Sequence, residues 1–249
     1  MLATINHKEK IYKVDFDQPI DISIPISDHS SRAWYVDPVR FEAVRNGDWI
    51  GEVKSGGSVN FRNIFFNPHG HGTHTECVGH ISPEIYSVNE NHKNYFSIAE
   101  LITVLPEEME NGDKIITRNQ LEQLLEGKTP EAVVLRTIDN SDAKLSLNWS
   151  NTNPPYLEEA AAKFLAEKNI NHLLIDLPSV DKENDDGKLL AHRAFWEYPD
   201  NTKFHRTITE FIFVPNDIYD GTYLLNLQTA PFENDASPSR PLLFKITNG

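Results

Sequence analysis

The chain has 249 residues, 39% hydrophobic and 24% charged, with a formal net charge of −14 and a single cysteine. That composition is ordinary for a soluble protein with a real core, and the negative charge excludes nucleic acid and anionic membrane surfaces as partners. One cysteine excludes an internal disulfide framework; with no signal-peptide core and no run near the roughly eighteen apolar residues of a membrane span, the cytoplasm is the expected compartment.

Residues Tyr12 to Ile26 alternate apolar and polar side chains, the period of a half-buried strand pair turning at Asp17-Gln18-Pro19. A polar loop then leads to Trp34-Tyr35-Val36-Asp37-Pro38, where Trp34 serves either the core or the wall of a ligand pocket. Phe41 to Val53 reads as two strands broken at Asn46-Gly47, a dipeptide suited to a type I′ hairpin turn. Asn60 to Phe66 is extended and feeds a histidine-rich segment. Ile98 to Pro106 reads as a strand and Thr117 to Glu126 as a short amphipathic helix. Ala132 to Thr137 opens with an apolar run short enough for a fully buried strand. Tyr156 to Lys168, with its Ala160-Ala161-Ala162 run, is the strongest helix, and His172 to Leu177 is a second buried strand. Strand, helix and strand of this kind form a βαβ crossover in a parallel sheet. Leu189 to Trp196 reads as a helix; Glu210 to Val214, Tyr223 to Leu227 and Leu242 to Ile246 complete the chain as strands. No linker divides it, so residues 1–249 are expected to form one α/β domain.

The chemistry concentrates in Asn67-Pro68-His69-Gly70-His71-Gly72-Thr73-His74-Thr75-Glu76-Cys77-Val78-Gly79-His80, which holds four of the ten histidines and the only cysteine. Imidazole and carboxylate suit zinc and similar divalent ions. His74 and Glu76 are two apart, so in an extended chain both face one point. The spacing differs from the helical His-Glu-x-x-His of zincins. Asp176 to Asp181 lies where a parallel strand runs out, the place where open α/β sheets set their ligands, with His192 and Glu210 soon after. Cys77 reads as a small buried apolar residue.

Gly72-Thr73-His74-x-Glu76-x-x-x-His80 resembles the His-x-Gly-Thr-His-x-Asp-x-Pro-x-His signature of the cyclase family, which includes bacterial kynurenine formamidases and isatin hydrolases. Asp21-Ile22-Ser23 with Trp34 to Pro38, and Asp176 to Asp181 with Ala191-His192-Arg193, are similar to the family's other blocks in the same order. The resemblance implies a swivelling β/β/α-type layered fold, with a parallel sheet and an antiparallel sheet. It implies one or two divalent ions, zinc or manganese, held by His74, Glu76, His192 and Glu210. It makes His80 the proton shuttle and Trp34 the aromatic on the substrate. It implies a homodimer or higher homo-oligomer in which an arm near Trp34 helps build the neighbour's site. The sequence departs from the signature in three places: Gly70 stands at the first histidine ligand, Glu76 replaces aspartate and Val78 replaces proline. His69 and His71 flank Gly70, both an odd number of residues from His74, and a one-residue bulge at the glycines would bring one of them round. His69 is favoured, because both glycines then lie between it and His74; His71 would otherwise orient a carboxylate.

The activity implied is hydrolysis of a small amide, aryl formamide or cyclic amide by a metal-activated water, with His80 protonating the leaving nitrogen. The same ions suit a lyase or cyclase, and a non-catalytic metal- or ligand-binding homologue is the reading from another class.

Overall fold

Every residue of Ala132–Thr137 is buried, and the strand's alternate side chains enter two different cores. Val133 and Leu135 pack with Leu121, Leu125, Ala161, Ala162 and Leu165, whereas Ala132 and Val134 pack with Ala99, Leu101, Tyr223 and Leu243. A strand covered on both faces favours a continuous apolar run, which is why Ala132 to Leu135 show no polar alternation; Arg136 and Thr137 follow at the strand's end.

The computed structural model describes residues 1–248. Its main elements in chain order are β1 (Leu2–His7), β2 (Lys10–Asp15), β3 (His74–Glu76), β4 (Phe96–Val104), α1 (Arg118–Leu124), β5 (Ala132–Thr137), α2 (Glu159–Glu167), β6 (His172–Ile175), α3 (Leu190–Trp196), β7 (Thr207–Glu210), β8 (Gly221–Asn226), β9 (Ala236–Pro238) and β10 (Leu242–Asn248). These strands, with Ile20–Asp21 on β10, form an eleven-stranded mixed sheet in the order β1-β2-β10-β8-β4-β5-β6-β7-β3-β9. The β4-β5-β6-β7 centre is parallel, and both flanks are antiparallel. The crossover from β5 through α2 to β6 is the one expected from the apolar runs. Parallel and antiparallel regions are thus continuous, with three small sheets beside them.

Several boundaries move for local reasons. The helix expected from Tyr156 starts at Glu159, because Tyr156 and Leu157 pair with Ile115 and Ile116 as a short parallel strand. Thr117 and Gln120 form a reciprocal capping box that sets the start of α1. The strand expected over Glu210 to Val214 ends at Glu210, since Phe211 takes the left-handed φ of 55° and breaks the extended run. The hairpin near Asn46 has Gly47 and Asp48 at its centre, with positive φ at Gly47 and not at Asp48; that is the type II′ pattern, one residue on from the expected dipeptide. The β1–β2 hairpin was not anticipated from the sequence.

Arg40–Ala43 pairs only with Arg62–Phe65, and this ribbon leaves the body of the protein with Phe41, Phe61, Ile64 and Phe65 exposed. It returns directly into the histidine-rich loop. Among the described residues no helix is long and apolar enough to cross a membrane.

Candidate metal centre

β3, paired with β7 on one side and β9 on the other, places His74 and Glu76 on one face, two residues apart as strand geometry requires, and both are fully buried. Antiparallel pairing sets His74 opposite Glu210, the last residue of β7. Their side chains meet with His74 Nε2 3.4 Å from Glu210 Oε2. Glu210 Oε1 also accepts from the Val180 N–H at 3.0 Å, which anchors it to the segment leaving β6. From the first turn of α3, His192 points Nε2 at Glu76 Oε1, 3.0 Å away, and donates from Nδ1 to Asp181 Oδ2 at 2.5 Å. Asp181 accepts as well from the Ala191 and His192 N–H groups, so one carboxylate both caps α3 and orients its histidine.

The loop before β3 turns His69 and His71 in different directions. Asn67 Oδ1 accepts from the N–H groups of His69 and Gly70, an Asx turn, and Gly72 then takes a φ of 61°. A Cβ at Gly72 would sit 2.9 Å from the Ile24 carbonyl oxygen, so position and conformation both demand glycine. The bulged strand that was expected is therefore a tight turn followed by a left-handed residue. It aims His69 at the site, with Nδ1 3.0 Å from Glu76 Oε2. It aims His71 away: Nδ1 accepts from the Asn67 N–H at 2.9 Å and Nε2 donates to the Asp37 carbonyl at 2.7 Å. Both His71 nitrogens are bonded to backbone atoms, and the ring ties two loops together.

His80 ends the short 3-10 turn Val78–His80 and is the most open of the cluster, its side chain 30% exposed. Its Nδ1 lies 3.9 Å from Glu76 Oε2 and 3.6 Å from Asp235 Oδ2. Asp235 also accepts from His69 Nε2 at 2.7 Å. Sequence reasoning missed Asp235; the short β9 that delivers it has no alternation to betray it. Trp34, with a φ of 59°, is half-buried against the helical core, next to Ala33, whose N–H donates to the Gly70 carbonyl. Cys77 is buried as expected, and burial pushes its thiol up to about 12.

Four imidazoles and four carboxylates thus share one small volume, and their charges interlock. Burial pushes Glu76 towards neutrality, but the His80, His192 and His69 rings outweigh it and hold its pKa well below the carboxylate range. Burial likewise opposes a charge on His69, but the Asp235 and Glu76 carboxylates raise it to about 10. His192 is raised well above 6.5, Asp181 and Glu76 overcoming its desolvation. The cluster therefore needs positive charge. A divalent cation fits the donor set: His69-His74-Glu76, His69-His80-Asp235 and Glu76-His80-His192 each bring three ligand atoms within 4.8 Å of one another. Two buried atoms at its centre, His74 Nε2 and Glu76 Oε2, make no well-aligned hydrogen bond, although His69 Nδ1 lies 3.0 Å from the latter.

A buried histidine–carboxylate centre where the parallel strands of a mixed sheet meet an antiparallel flank is the class of site this fold presents. The Cyclase family matches residues 20–182, and the chain belongs to that family. Kynurenine formamidase of Bacillus thuringiensis (strain Al Hakam) is 31% identical over 231 residues, covering 91% of this chain and 97% of that protein. The Bacillus mycoides (strain KBAB4) kynurenine formamidase is 30% identical over 92% of this chain and 98% of its own length. Among solved structures, isatin hydrolase A from Labrenzia aggregata has a TM-score of 0.66 at 17% identity, covering 91% of this chain and 93% of its own. A protein described as a potential metal-dependent hydrolase with cyclase activity has a TM-score of 0.65 at 18% identity, with 92% and 98% coverage. The structural likeness shares the fold.

Proposed function

We propose that the chain is a metal-dependent hydrolase acting on a small amide, an aryl formamide or a cyclic amide. The observation that carries this reading is Glu76, a buried carboxylate set 3.0 Å from both His69 Nδ1 and His192 Nε2. Donors about 3 Å apart match neighbouring ligands of one ion with bonds of about 2 Å. The similarity to kynurenine formamidases over nearly the whole chain supports the substrate class. His69, His74, Glu76, His192 and Glu210 would hold one or two ions of zinc or manganese. When bound, the cation supplies Lewis-acid polarisation of a carbonyl and acidifies water near neutral pH.

The chain's own residues do the rest. His80, the most open imidazole of the cluster, reaches towards solvent and can give a proton to a leaving nitrogen while Asp235 and Glu76 face its Nδ1. Trp34 is assigned to the substrate's aromatic or apolar part. Metal content per untagged chain, followed by a panel of aryl formamides and cyclic amides with product masses, tests the proposal. Stoichiometric zinc or manganese and products heavier by one water are expected. A metal-loaded chain whose products gain no water would point to a lyase or cyclase instead.

A second copy of the chain is the proposed partner. Residues 40–65 carry four basic and three acidic side chains in a chain of net charge −14, so this arm is charge-complementary to the remainder. An isolated two-stranded ribbon with exposed Phe41, Phe61 and Ile64 is marginal in water, and docking on a neighbour would cover it. Sedimentation of the parent and of a Phe61→Asp, Ile64→Asp variant should show an oligomer and its dissociation; a monomeric parent would remove the idea.

A further inference from the structure

Glu76 is flanked by two histidines that approach it with opposite ring nitrogens. His192 presents Nε2 and has Nδ1 fixed by Asp181. His69 presents Nδ1 and has Nε2 bonded to Asp235 Oδ2 at 2.7 Å. Each ring is thus gripped from behind by a carboxylate while its other nitrogen faces the same buried glutamate.

The reason His69 reaches with Nδ1 lies in the backbone. A side chain at residue 70 would crowd Val36, since its Cβ would lie 2.9 Å from Val36 Cγ2 and 3.2 Å from Cγ1. The imidazole that faces Glu76 comes instead from one residue earlier, in the turn. There the nitrogen nearer the backbone faces Glu76, and Nε2 is carried past the centre to Asp235. Glutamate at 76 brings a longer reach than aspartate, and its Oε2 meets the displaced ring. The two departures from the signature are complementary.

Asp235 is held where this requires it. Its carbonyl accepts from the Cys77 N–H at 3.0 Å, and the next residue, Ala236, pairs with Glu76 across β9 and β3. The carboxylate is thereby tied to the strand that supplies His74 and Glu76.

We infer that Asp235 is a positioning residue of the metal centre: by accepting the Nε2 proton of His69, it fixes the tautomer whose free Nδ1 binds the cation. Without it, a neutral His69 can carry its proton on Nδ1 and give it to Glu76 Oε2, which would occupy both donors at once. Asp235 does not itself touch the ion in this assignment. This rests on the metal-dependent reading above, and it concerns how the ion is gripped.

The test uses the full chain. Zinc affinity is measured by competition titration for the parent, Asp235→Asn and Asp235→Glu, and the nitrogen-15 long-range spectra of the zinc-loaded imidazoles are recorded. The parent should show His69 protonated at Nε2 and metal-bound at Nδ1. Asp235→Asn should bind zinc about 10- to 100-fold more weakly, the usual cost of losing a carboxylate behind a ligating histidine. Asp235→Glu should recover part of the loss. The signals of His74 and His192 serve as the fold control, and the backbone bond to Cys77 is available to every variant. A parent that binds zinc while Asp235→Asn binds it equally well, or a His69 bound through Nε2, overturns the inference and leaves the hydrolase reading intact. A parent that binds neither zinc nor manganese overturns both.

Discussion

His192 and His172 are 1% and 2% exposed, yet their pKa values move in opposite directions. His192 faces Asp181 and Glu76 and is raised. His172 is lowered to about 3 by burial, with His92 and His205 adding to the effect. β7 serves both rings: Thr207 at its start bonds His172 Nδ1 at 2.9 Å, and Glu210 at its end lies 3.8 Å from His192 Nε2. The His92–His172 pair meets edge to face with centroids 5.3 Å apart. Burial alone makes a histidine a neutral core residue, and nearby carboxylates turn the same side chain into part of a cation-binding centre.

The sharpest way to break that contrast is to take a carboxylate from one region. Glu76→Gln keeps the shape and removes the charge between His69 and His192. Metal content, by elemental analysis, should fall from stoichiometric to background, and turnover should fall with it. A Glu76→Gln protein that retains its metal would mean that the buried carboxylate is only a structural partner. His80→Ala should instead keep the metal and lose about 10²- to 10⁴-fold in turnover, the range for a lost general acid. Unchanged hydrolysis would take the proton-transfer role away from His80.

The two regions should also respond oppositely to pH. His172 has a folded pKa of about 3 against 6.5 unfolded, so between these values the unfolded chain binds the extra proton. Its contribution to stability is present above about pH 6.5 and is lost as pH falls towards 3, by at most about 1.4 kcal/mol per pH unit. His69 has the reverse sign. With a folded pKa of about 10, its contribution in metal-free protein is present below 6.5 and lost as pH rises through 10. Denaturant unfolding of metal-free parent and His172→Leu at pH 7 and pH 5, above the range where carboxylates dominate, should give a shallower loss in the variant. Equal losses would show that His172 is not a buried neutral group.

The parts of this molecule that were legible in the sequence are those where local pattern and tertiary need coincide. Ala132–Thr137 opens with four apolar residues because both faces are covered, and its limits matched the expected strand. His74 and Glu76 could be paired from a spacing of two because they do lie in a strand. The parity rule gave no answer for His69 and His71, because Asn67 to Gly72 is a turn with a left-handed glycine and alternation does not apply there. Asp235 was invisible for another reason. It sits in Phe232-Glu233-Asn234-Asp235, where every polar residue looks like solvated loop, and only β9 pairing with β3 brings it to the site. Asp181 was visible as part of a block, but its bond to His192 depends on how α3 starts.

The smallest predicted effect separates two neighbours in that turn. His69 and His71 are alike in sequence context, yet His71 spends its nitrogens on the Asn67 N–H and the Asp37 carbonyl. His71→Phe keeps the ring and removes both bonds. Each is worth about 0.5–1.5 kcal/mol net, and the loop is part-buried, so a loss of about 1–3 kcal/mol of stability is expected. Metal affinity should change much less than in His69→Ala, because His71 points away from Glu76. The Arg32–His71 bridge and the Ala33–Gly70 bond keep the turn against its neighbouring segment when the imidazole is gone. A His71→Phe protein that folds with parental stability but binds no metal would exchange the two roles, making His71 the ligand and His69 the loop tie.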